Sequence, residues 1–224
     1  MSESARNVVI VGANRGIGLE FVKQYVSSGA RVVALCRKAS DALRALDCEI
    51  IEGVDASDDA IVHNLATQLP VEHIDILIHN AGILKGDSFP DLDFDNMKQH
   101  FDVNSLGPLR IILGALTKLG KGSKVGIVSS RVGSIDDNSS SNNYAYRVSK
   151  TAVNMVGKCL SIDLKEKGIA VALLHPGYVR TEMTNNSGNI EADEAAAGLI
   201  KRMDELSLET SGVFVHSNGE SLPW

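Results

Sequence analysis

Short apolar runs alternate with segments of helical period along the whole chain, and this alternation most restricts how it can fold. The runs are continuous and rich in Val, Ile and Leu, which is typical of strands covered on both faces in a parallel sheet. They cover residues 7–11, 31–36, 49–53, 74–79, 124–129, 169–175 and 213–216. The helical segments between them cover residues 17–28, 58–69, 94–118, 146–167 and 192–206. The sequence therefore predicts an α/β fold with a doubly wound parallel sheet of about seven strands.

Size and composition indicate a single domain, expected over residues 1–224, because neither a linker nor a repeat interrupts the pattern. The 22 basic and 28 acidic residues give a net charge of −6, which argues against nucleic acid or an anionic membrane as the main partner. No stretch approaches the ~18 apolar residues of a membrane span, and the first residues lack the apolar core of a secretory signal. The three cysteines are scattered and suit neither disulfides nor a metal site. We therefore expect a cytoplasmic protein with no metal, no nucleic-acid partner and no membrane partner.

A glycine cluster follows the first predicted strand and opens the first predicted helix. It consists of Gly12, Asn14, Arg15, Gly16, Ile17 and Gly18 in the pattern G-x3-G-x-G. Glycine lets the backbone turn tightly and approach a pyrophosphate, which the free N–H groups of a helix N-terminus can receive. The strand-to-helix context favours a dinucleotide site over an ordinary tight turn. Because the spacing departs from G-x-G-x-x-G, it indicates a different branch of dinucleotide binders.

The end of the second predicted strand bears on which dinucleotide is bound. NAD enzymes often place an acid there for the ribose hydroxyls, whereas NADP enzymes more often present arginine to the 2′-phosphate. The strand ends in Leu-Cys-Arg-Lys without an acid, so Arg37 and Arg15 could clamp a phosphate. The alternative for each arginine is a solvated surface charge. NADPH (NADP) is therefore favoured over NADH (NAD).

The ends of later strands offer further contacts to such a cofactor. Asp55, next to Ala56, could face the adenine amino group, or it could be a plain helix cap or turn residue. The fourth strand ends in His-Asn-Ala-Gly, whose small residues would let the chain pass close to the cofactor. After the sixth strand, a Pro-Gly pair breaks the chain, and the hydroxyl of Thr181 could hold a nicotinamide carboxamide.

Tyr146 and Lys150 are the strongest candidates for chemistry. They are spaced i, i+4 on a predicted helix and share one face, whereas Tyr144 points well away from that face. A free tyrosine has a pKa near ~10, and a nearby ammonium favours the phenolate, which brings the phenol closer to acid–base use. Alone, Tyr-x3-Lys is better interpreted as an aromatic residue packed beside a surface lysine.

Other polar residues make the pair more than a packing motif. Ser129 and Ser130 end the fifth strand, where a hydroxyl could hold a substrate carbonyl. Asn104 lies within a predicted helix, although asparagine is a poor helix former. Because a buried polar group needs partners, Asn104 is either a structural hydrogen bonder or part of a water relay to Lys150.

Taken together, these residues resemble the short-chain dehydrogenase/reductase superfamily. The match runs from Val8 to about Thr184 and includes the glycine loop, HNAG, Asn104, the serine pair, Tyr146-x3-Lys150 and PG. The finer resemblance is to the carbonyl-reductase-like branch that includes Sniffer and C-factor proteins. It rests on the stretch YAYRVSK, the extended loop before it and the ending GESLPW. The resemblance implies a Rossmann-type fold.

The resemblance also implies a role for each matching residue. Tyr146 would donate the proton in reduction, and Lys150 would bind the nicotinamide ribose and lower the tyrosine pKa. Ser130, preferred over Ser129, would steady the carbonyl, and Asn104 would support a water linked to Lys150. The remaining cofactor contacts would come from the glycine loop and from Arg37, Asp55, Ala56, Asn80, Ala81, Gly82, Pro176, Gly177, Val179 and Thr181.

The implied function is NADPH-dependent reduction of a ketone or aldehyde to an alcohol. The C-factor resemblance leaves open a dinucleotide-binding signalling or regulatory protein with little or no turnover. The spacing of 16 positions from Ser130 to Tyr146 exceeds the usual family spacing because the polar loop at residues 134–143 is long. His79 replaces the usual first asparagine, and the short segment after PG indicates an open substrate pocket. A homodimer could form through the helices of Asn104 and Tyr146, although the long loop could interfere.

Overall fold

The structure is a computed structural model that describes residues 5–224. Positions 1–4, which belong to the expected single domain and to its N-terminal segment, lie outside the described residues. The strands are β1 (Asn7–Val11), β2 (Arg31–Leu35), β3 (Glu49–Ile51), β4 (Ile76–His79), β5 (Lys124–Val128), β6 (Ala170–His175) and β7 (Val213–His216). They form one seven-stranded sheet in the order β3-β2-β1-β4-β5-β6-β7, and every pairing is parallel. The predicted fold class is confirmed.

Helices cover both faces of this sheet. They are α1 (Gly16–Ser27), α2 (Asp41–Arg44), α3 (Ile61–Gln68), α4 (Phe94–Phe101), α5 (Gly107–Ala115), α6 (Tyr144–Asp163) and α7 (Ala192–Glu205). Apolar side chains of α3, α5 and α6 pack against one face of the sheet. Those of α1, α2 and α7 pack against the other.

Burial on two faces explains why the strand segments are apolar without alternation. In β1, Val9 and Val11 belong to one hydrophobic core, and Val8 and Ile10 belong to the other. Successive side chains of a strand point to opposite faces, so each face demands an apolar residue. The carboxyl ends of β1, β4, β5 and β6 then meet at one edge of the sheet, and the candidate site residues follow these ends.

The predicted helix over residues 94–118 is interrupted. After α4, the chain makes a π-helical turn over Asp102–Leu106, continues as α5 and ends in a 3₁₀ turn over Leu116–Lys118. Pro108 has no N–H to donate to the carbonyl of Asn104, which is the α-helical bond due at this point. Single π-turns inside helices are frequent at functional sites, and this turn carries Asn104.

Two helix boundaries depend on capping contacts. The single turn α2, which the sequence pattern did not indicate, is capped by Ser40, whose hydroxyl accepts from the N–H of Leu43 at 3.2 Å. Helix α6 begins at Tyr144 and not at the expected Tyr146. A carboxylate oxygen of Asp87 accepts from the N–H of Ala145 at 3.0 Å, so the cap of α6 comes from a distant loop.

Within residues 5–224, no helix combines the length and apolar character of a membrane-crossing segment. The three cysteines are free thiols, with Cys36 buried, Cys48 half-buried and Cys159 exposed. In the same part of the chain, no three His, Cys, Asp or Glu side chains are grouped as metal ligands would be.

Candidate active site

The glycine loop passes too close to neighbouring backbone for larger residues. Gly12 has a φ of 77°, and a Cβ there would lie 2.7 Å from the Cα of Ala81. A Cβ on Gly18 would lie 2.0 Å from the carbonyl oxygen of Gly12. The loop therefore packs against the chain that follows β4 and leaves its outer side open.

Two side chains hold the glycine loop in shape. The amide of Asn80 donates to the carbonyl oxygen of Gly12 at 3.1 Å. On the other side, the hydroxyl of Ser40 donates to the carbonyl oxygen of Asn14 at 3.0 Å. These bonds join the ends of β1 and β4 and the segment after β2 into one cradle.

The start of α1 fits a phosphate group. No side chain caps the helix, and its first turn contains no acidic residue. The first N–H groups of an uncapped helix lack partners and carry the positive end of the helix dipole. Together with the glycine cradle, these free donors suit the pyrophosphate of a dinucleotide.

The two arginines proposed for the 2′-phosphate lie in different surroundings. Arg15 is exposed and forms an ion pair with Glu182. Arg37 is exposed just after β2 and lies near enough to Asp55 to contribute to lowering its pKa. An exposed ion pair is worth little and can exchange partners, so Arg15 is still available to an anion.

Asp55 is a turn residue in the structure. Its Oδ1 accepts from the N–H of Ser57 at 3.0 Å and from the Ser57 hydroxyl at 2.7 Å. These two bonds are the main reason why the pKa of Asp55 is lowered. The neighbouring Ala56 is buried, and its Cβ would lie 3.1 Å from a Cβ on Gly107, so it packs against the start of α5.

Tyr146 lies in the first turn of α6 beside Ser130. Burial raises the pKa of Tyr146 to about 12, and the hydrogen bond with the Ser130 hydroxyl counters this rise only in part. The sequence led us to expect that Lys150 lowers this pKa, but desolvation of the phenol raises it instead. The phenol is therefore protonated at neutral pH.

Lys150 lies one turn further along the same face of α6. Its side chain is buried, and Nζ lies 5.5 Å from the centre of the Tyr146 ring. Nζ donates to the carbonyl oxygen of Val128, at the end of β5, at 2.9 Å. Burial lowers the pKa of Lys150 to about 8, which leaves the ammonium charged at pH 7.

The two serines after β5 have different surroundings. The hydroxyl of Ser129 is buried and donates to Oδ1 of Asn154 at 2.5 Å. The hydroxyl of Ser130 accepts from the N–H of Val132 at 3.4 Å and lies near enough to Tyr146 to contribute to lowering its pKa. Neighbouring residues of an extended chain point to opposite sides, so only one serine can face the tyrosine.

Asn104 forms hydrogen bonds with the segment after β4 and with α6. Its Oδ1 accepts from the N–H of Ile83 at 2.8 Å, and its Nδ2 donates to the carbonyl oxygen of Ile83 at 3.0 Å. Nδ2 also donates to the hydroxyl of Ser149 on α6 at 3.0 Å. A Cβ on Gly82 would lie 3.2 Å from Oδ1 of Asn104 and 3.8 Å from Nζ of Lys150. Asn104 is thus a structural hydrogen bonder at the edge of the lysine site.

The segment after β6 folds back over the glycine loop. The methyl group of Thr181 would lie 3.3 Å from a Cβ on Gly16. Val179 is buried and pairs with Ile190 in a short parallel bridge. The turn that makes this path possible contains Pro176 and Gly177, whose φ is 96°.

Ile17, in the first turn of α1, is partly buried against the α1 side of the sheet.

The loop at residues 134–143 connects Ser130 to Tyr146 and is anchored by Trp224. The carbonyl oxygen of Trp224 accepts from the N–H groups of Ile135 and Asp136 at 2.9 and 3.0 Å. It also accepts from the hydroxyl of Ser134 at 3.0 Å. The ring of Trp224 stacks on that of Phe214 of β7, with the ring centres 5.6 Å apart.

Sequence reasoning missed several residues that shape the site. Asn154, Ser149 and His100 are buried polar side chains on the helices of Asn104 and Tyr146. Buried polar groups on otherwise apolar helix faces are the signal that could have found them. Asp87 carried no local signal, because its role as a cap depends on a loop meeting α6 in space.

The geometry brings a protonated phenol, a charged amine and a serine hydroxyl together beside a cradle for a dinucleotide. The sequence profile of the family described as short chain dehydrogenase matches residues 6–192. A 1-hydroxy-2-glutathionyl-2-methyl-3-butene dehydrogenase of Rhodococcus sp. (strain AD45) is 41% identical, covering 97% of this chain and 99% of that protein. C-signal of Myxococcus xanthus is 37% identical, covering 71% of this chain and 98% of that protein.

The architecture is also shared with a solved carbonyl reductase. The crystal structure of an NADPH-bound carbonyl reductase from chicken fatty liver superimposes with a TM-score of 0.88 at 28% identity. The superposition covers 98% of this chain and 99% of that chain. The likeness therefore extends over the whole sheet and its helices.

Proposed function

Because the chain belongs to the short-chain dehydrogenase family, and is thus a dehydrogenase or reductase, we propose that it reduces a ketone or aldehyde with NADPH and that Tyr146 donates the proton. The observation that carries this proposal is the grouping of the Ser130 hydroxyl, the Tyr146 phenol and the Lys150 ammonium, whose Nζ lies 5.5 Å from the centre of the tyrosine ring. A substrate oxygen placed between the two hydroxyls would meet a donor on each side.

The cofactor site is proposed to run from Arg37 over the glycine loop to Thr181. The cradle and the uncapped start of α1 would hold the pyrophosphate, and Arg37 with Arg15 would meet the 2′-phosphate. Asn80, Ala81 and Gly82 would pass along the cofactor, with Pro176, Gly177 and Val179 shaping the path toward Thr181. Bound nicotinamide would supply a hydride for the carbonyl carbon.

The chain's own groups would handle the proton. As the carbonyl carbon gains the hydride, the oxygen becomes basic and takes the proton of the Tyr146 hydroxyl. Ser130 would hold the oxygen during this transfer through its hydroxyl. Tyr146 is protonated before the reaction, but a pKa raised to about 12 makes the phenol a weak acid, so proton transfer depends on stabilisation of the phenolate that remains.

Proton transfer leaves a phenolate on Tyr146, and Lys150 would stabilise it. A cation near a buried anion lowers its energy strongly because little water screens the pair. At pH 7 the Lys150 ammonium is charged and is fixed by the carbonyl oxygen of Val128. Asn104 would keep the helices of this pair in register, and a water near it would link Lys150 to solvent.

Oxidation of NADPH by the purified protein with a panel of aldehydes, ketones and diketones tests the proposal. Tyr146→Phe should lower kcat by about 100-fold or more while it leaves the NADPH Kd unchanged, because only the proton is lost. Tyr144→Phe, two positions away on another face of α6, is the matched control and should keep activity. Equal loss in both variants, or none in Tyr146→Phe, would contradict the role of Tyr146.

The panel should also include alcohols in the reverse direction. The 41% identical Rhodococcus protein is named a dehydrogenase of a hydroxylated glutathione thioether. Primary alcohols that carry a thioether, assayed with NADP and with NAD, therefore belong in the test. The short segment after Gly177 would leave room for a bulky substrate of this kind.

A second candidate is a dinucleotide-binding signalling protein, which the 37% identity to C-signal favours. This alternative predicts NADPH binding with no turnover of any carbonyl or alcohol. It also predicts that Tyr146→Phe keeps full function in cells. Turnover by the wild type that is lost in Tyr146→Phe would show that the protein acts as an enzyme.

A homodimer through α4 and α6 is the assembly that we propose. Val148, Met155 and Ile162 form an exposed apolar stripe with a spacing of seven on α6, and Phe101 is exposed at the end of α4. Val148 and Met155 also line a cavity of about 830 Å³ that side chains of a second copy could fill. Sedimentation of the wild type and of Met155→Glu would test this, since the charge should release monomers.

A further inference from the structure

Three buried polar side chains lie four positions apart, two on α4 and the third in the π-helical turn that follows it. Asn96, His100 and Asn104 are 4%, 0% and 1% exposed. A spacing of four places them on one face of the helix. Polar groups this deeply buried need partners, and all three contact the segment at residues 82–87, which follows β4.

His100 holds the middle of this segment through its imidazole. Its Nε2 accepts from the N–H of Lys85 at 3.0 Å. Its Nδ1 lies 2.9 Å from the carbonyl oxygen of Asn96, which can only accept a hydrogen bond. Nδ1 therefore carries the hydrogen and Nε2 is the bare acceptor, so both bonds require the neutral ring in this one tautomer.

The far end of the segment holds the start of α6. The carbonyl oxygen of Asp87 accepts from the N–H of Asn143 at 2.8 Å. Its Oδ2 accepts from the N–H of Ala145 at 3.0 Å. Asn143 is the first residue before the helix and makes no side-chain cap, so Asp87 supplies the cap that α6 does not provide itself. The residue after Ala145 is Tyr146.

His100 also lies beside the aromatic ring of Tyr146. Its ring meets that of Tyr146 edge to face, with the ring centres 6.4 Å apart and the planes at 84°. This arrangement is a favourable aromatic contact. One imidazole thus bonds the segment that carries Asp87 and lies against one side of the tyrosine ring.

We propose that His100 is a positioning residue: through the segment at residues 82–87 and the Asp87 cap, it fixes the first turn of α6 and with it the direction of the Tyr146 hydroxyl. The inference rests on the proposed function in taking Tyr146 as the proton donor. Neither the resemblance of the sequence nor its motifs assigns His100 a part.

Two variants at His100 separate positioning from simple packing. His100→Phe keeps an aromatic ring but loses both hydrogen bonds, whereas His100→Gln offers an oxygen to Lys85 and an N–H to Asn96. We expect kcat of His100→Phe to fall by about 10- to 100-fold, since a misplacement of ~1 Å is that costly. KM and the NADPH Kd should change by no more than about twofold, and His100→Gln should recover most of kcat.

Hydrogen exchange of the Ala145 amide gives a second readout that needs no turnover. This amide donates to Asp87, so it should exchange faster in His100→Phe than in the wild type and in His100→Gln. Wild-type kcat together with wild-type exchange in His100→Phe would overturn the proposal. If the wild type turned over no substrate, the proposed function would fail, and the exchange rates would still decide whether His100 controls α6.

A variant at the other end of the segment covers the case in which His100→Phe does not fold. Asp87→Ala removes the cap, whereas Asp87→Asn keeps an oxygen that can accept from Ala145. We expect Asp87→Ala to lose kcat and to speed Ala145 exchange, and Asp87→Asn to stay close to the wild type. Equal behaviour of the two variants would overturn the proposed link through the cap.

Discussion

The hydroxyl of Ser129 donates a 2.5 Å hydrogen bond to Oδ1 of Asn154. This bond commits one of two adjacent serines to the interior of the protein. The hydroxyl of its neighbour Ser130 instead lies near that of Tyr146 and contributes to lowering the Tyr146 pKa. The two serines therefore have different surroundings although their side chains are the same. Substituting each serine separately can distinguish their roles.

Ser130→Ala should cost activity and Ser129→Ala should cost stability. Loss of the Ser130 hydroxyl removes a donor to the substrate oxygen and should lower kcat by about 100-fold or more. Loss of the Ser129 hydroxyl leaves the buried Asn154 oxygen without this donor and should lower the free energy of unfolding by about 1–3 kcal/mol. Urea unfolding and NADPH oxidation of both variants measure the two effects. The reverse pattern would show that Ser129 is the serine of the reaction.

Titration of Lys150 should make the free energy of unfolding depend on pH above pH 7. Burial lowers its pKa to about 8 in the folded chain, whereas the unfolded chain has the ordinary value of 10.5. Between these values the unfolded state binds more protons, so the free energy of unfolding should rise with pH from about 8 to 10.5. The rise should be on the order of 3 kcal/mol, since one pKa unit is worth ~1.4 kcal/mol.

Lys150→Met is the control for this pH effect. It lacks the titrating group but keeps all others, so the difference between the two proteins isolates the lysine. Urea unfolding at intervals from pH 7 to 10 gives that difference. A constant difference over the range would mean that the pKa of Lys150 is not lowered in the folded protein.

Arg37→Ala should weaken NADPH binding selectively. A lost charge-assisted contact to a phosphate costs about 1.5–3 kcal/mol, so the NADPH Kd should rise by about 10- to 100-fold. The NADH Kd should stay within about twofold, because NADH lacks the 2′-phosphate. Arg31→Ala, at the opposite end of β2 and paired with Glu49, is the matched control. Calorimetric titration of both cofactors would contradict the arginine clamp if NADH were affected equally.

Gly82→Ala should disturb the lysine site without disturbing the fold. The added Cβ would lie 3.2 Å from Oδ1 of Asn104, which must move by a few tenths of an ångström. We expect kcat to fall by about tenfold with the melting temperature nearly unchanged. Gly120→Ala is the control, because its Cβ would meet only His73 at an ordinary 3.7 Å. Full activity of Gly82→Ala would show that the approach of residue 82 to Asn104 and Lys150 is not needed.

Much of the fold could be predicted because its signals are local. Strands buried on two faces require continuous apolar runs, and every strand lies within two residues of its predicted bounds. The glycine loop was recognisable because Gly12 and Gly18 are required by close backbone contacts. The i, i+4 spacing indicated Tyr146 and Lys150, which the structure places side by side, and the family resemblance then implied their roles.

The features of the fold and of the site that the sequence did not predict depend on contacts between residues that are far apart in the chain. The start of α6 is set by Asp87, which lies 58 positions before Ala145. The separation of Ser129 from Ser130 depends on Asn154, which lies on another element. The pKa of Tyr146 rises because the folded chain buries the phenol, and no pattern of neighbouring letters reports that burial.

The anchoring of the loop at residues 134–143 by Trp224 sets an order of events during synthesis. The ribosome makes the chain from its N-terminus, so the glycine loop and its support Asn80 exist after about a third of the sequence has been made. Trp224, which accepts a hydrogen bond from the hydroxyl of Ser134, is synthesised only 90 positions after that serine. A nascent chain therefore contains the residues of its anion cradle long before it contains the residue that anchors the connection between Ser130 and Tyr146.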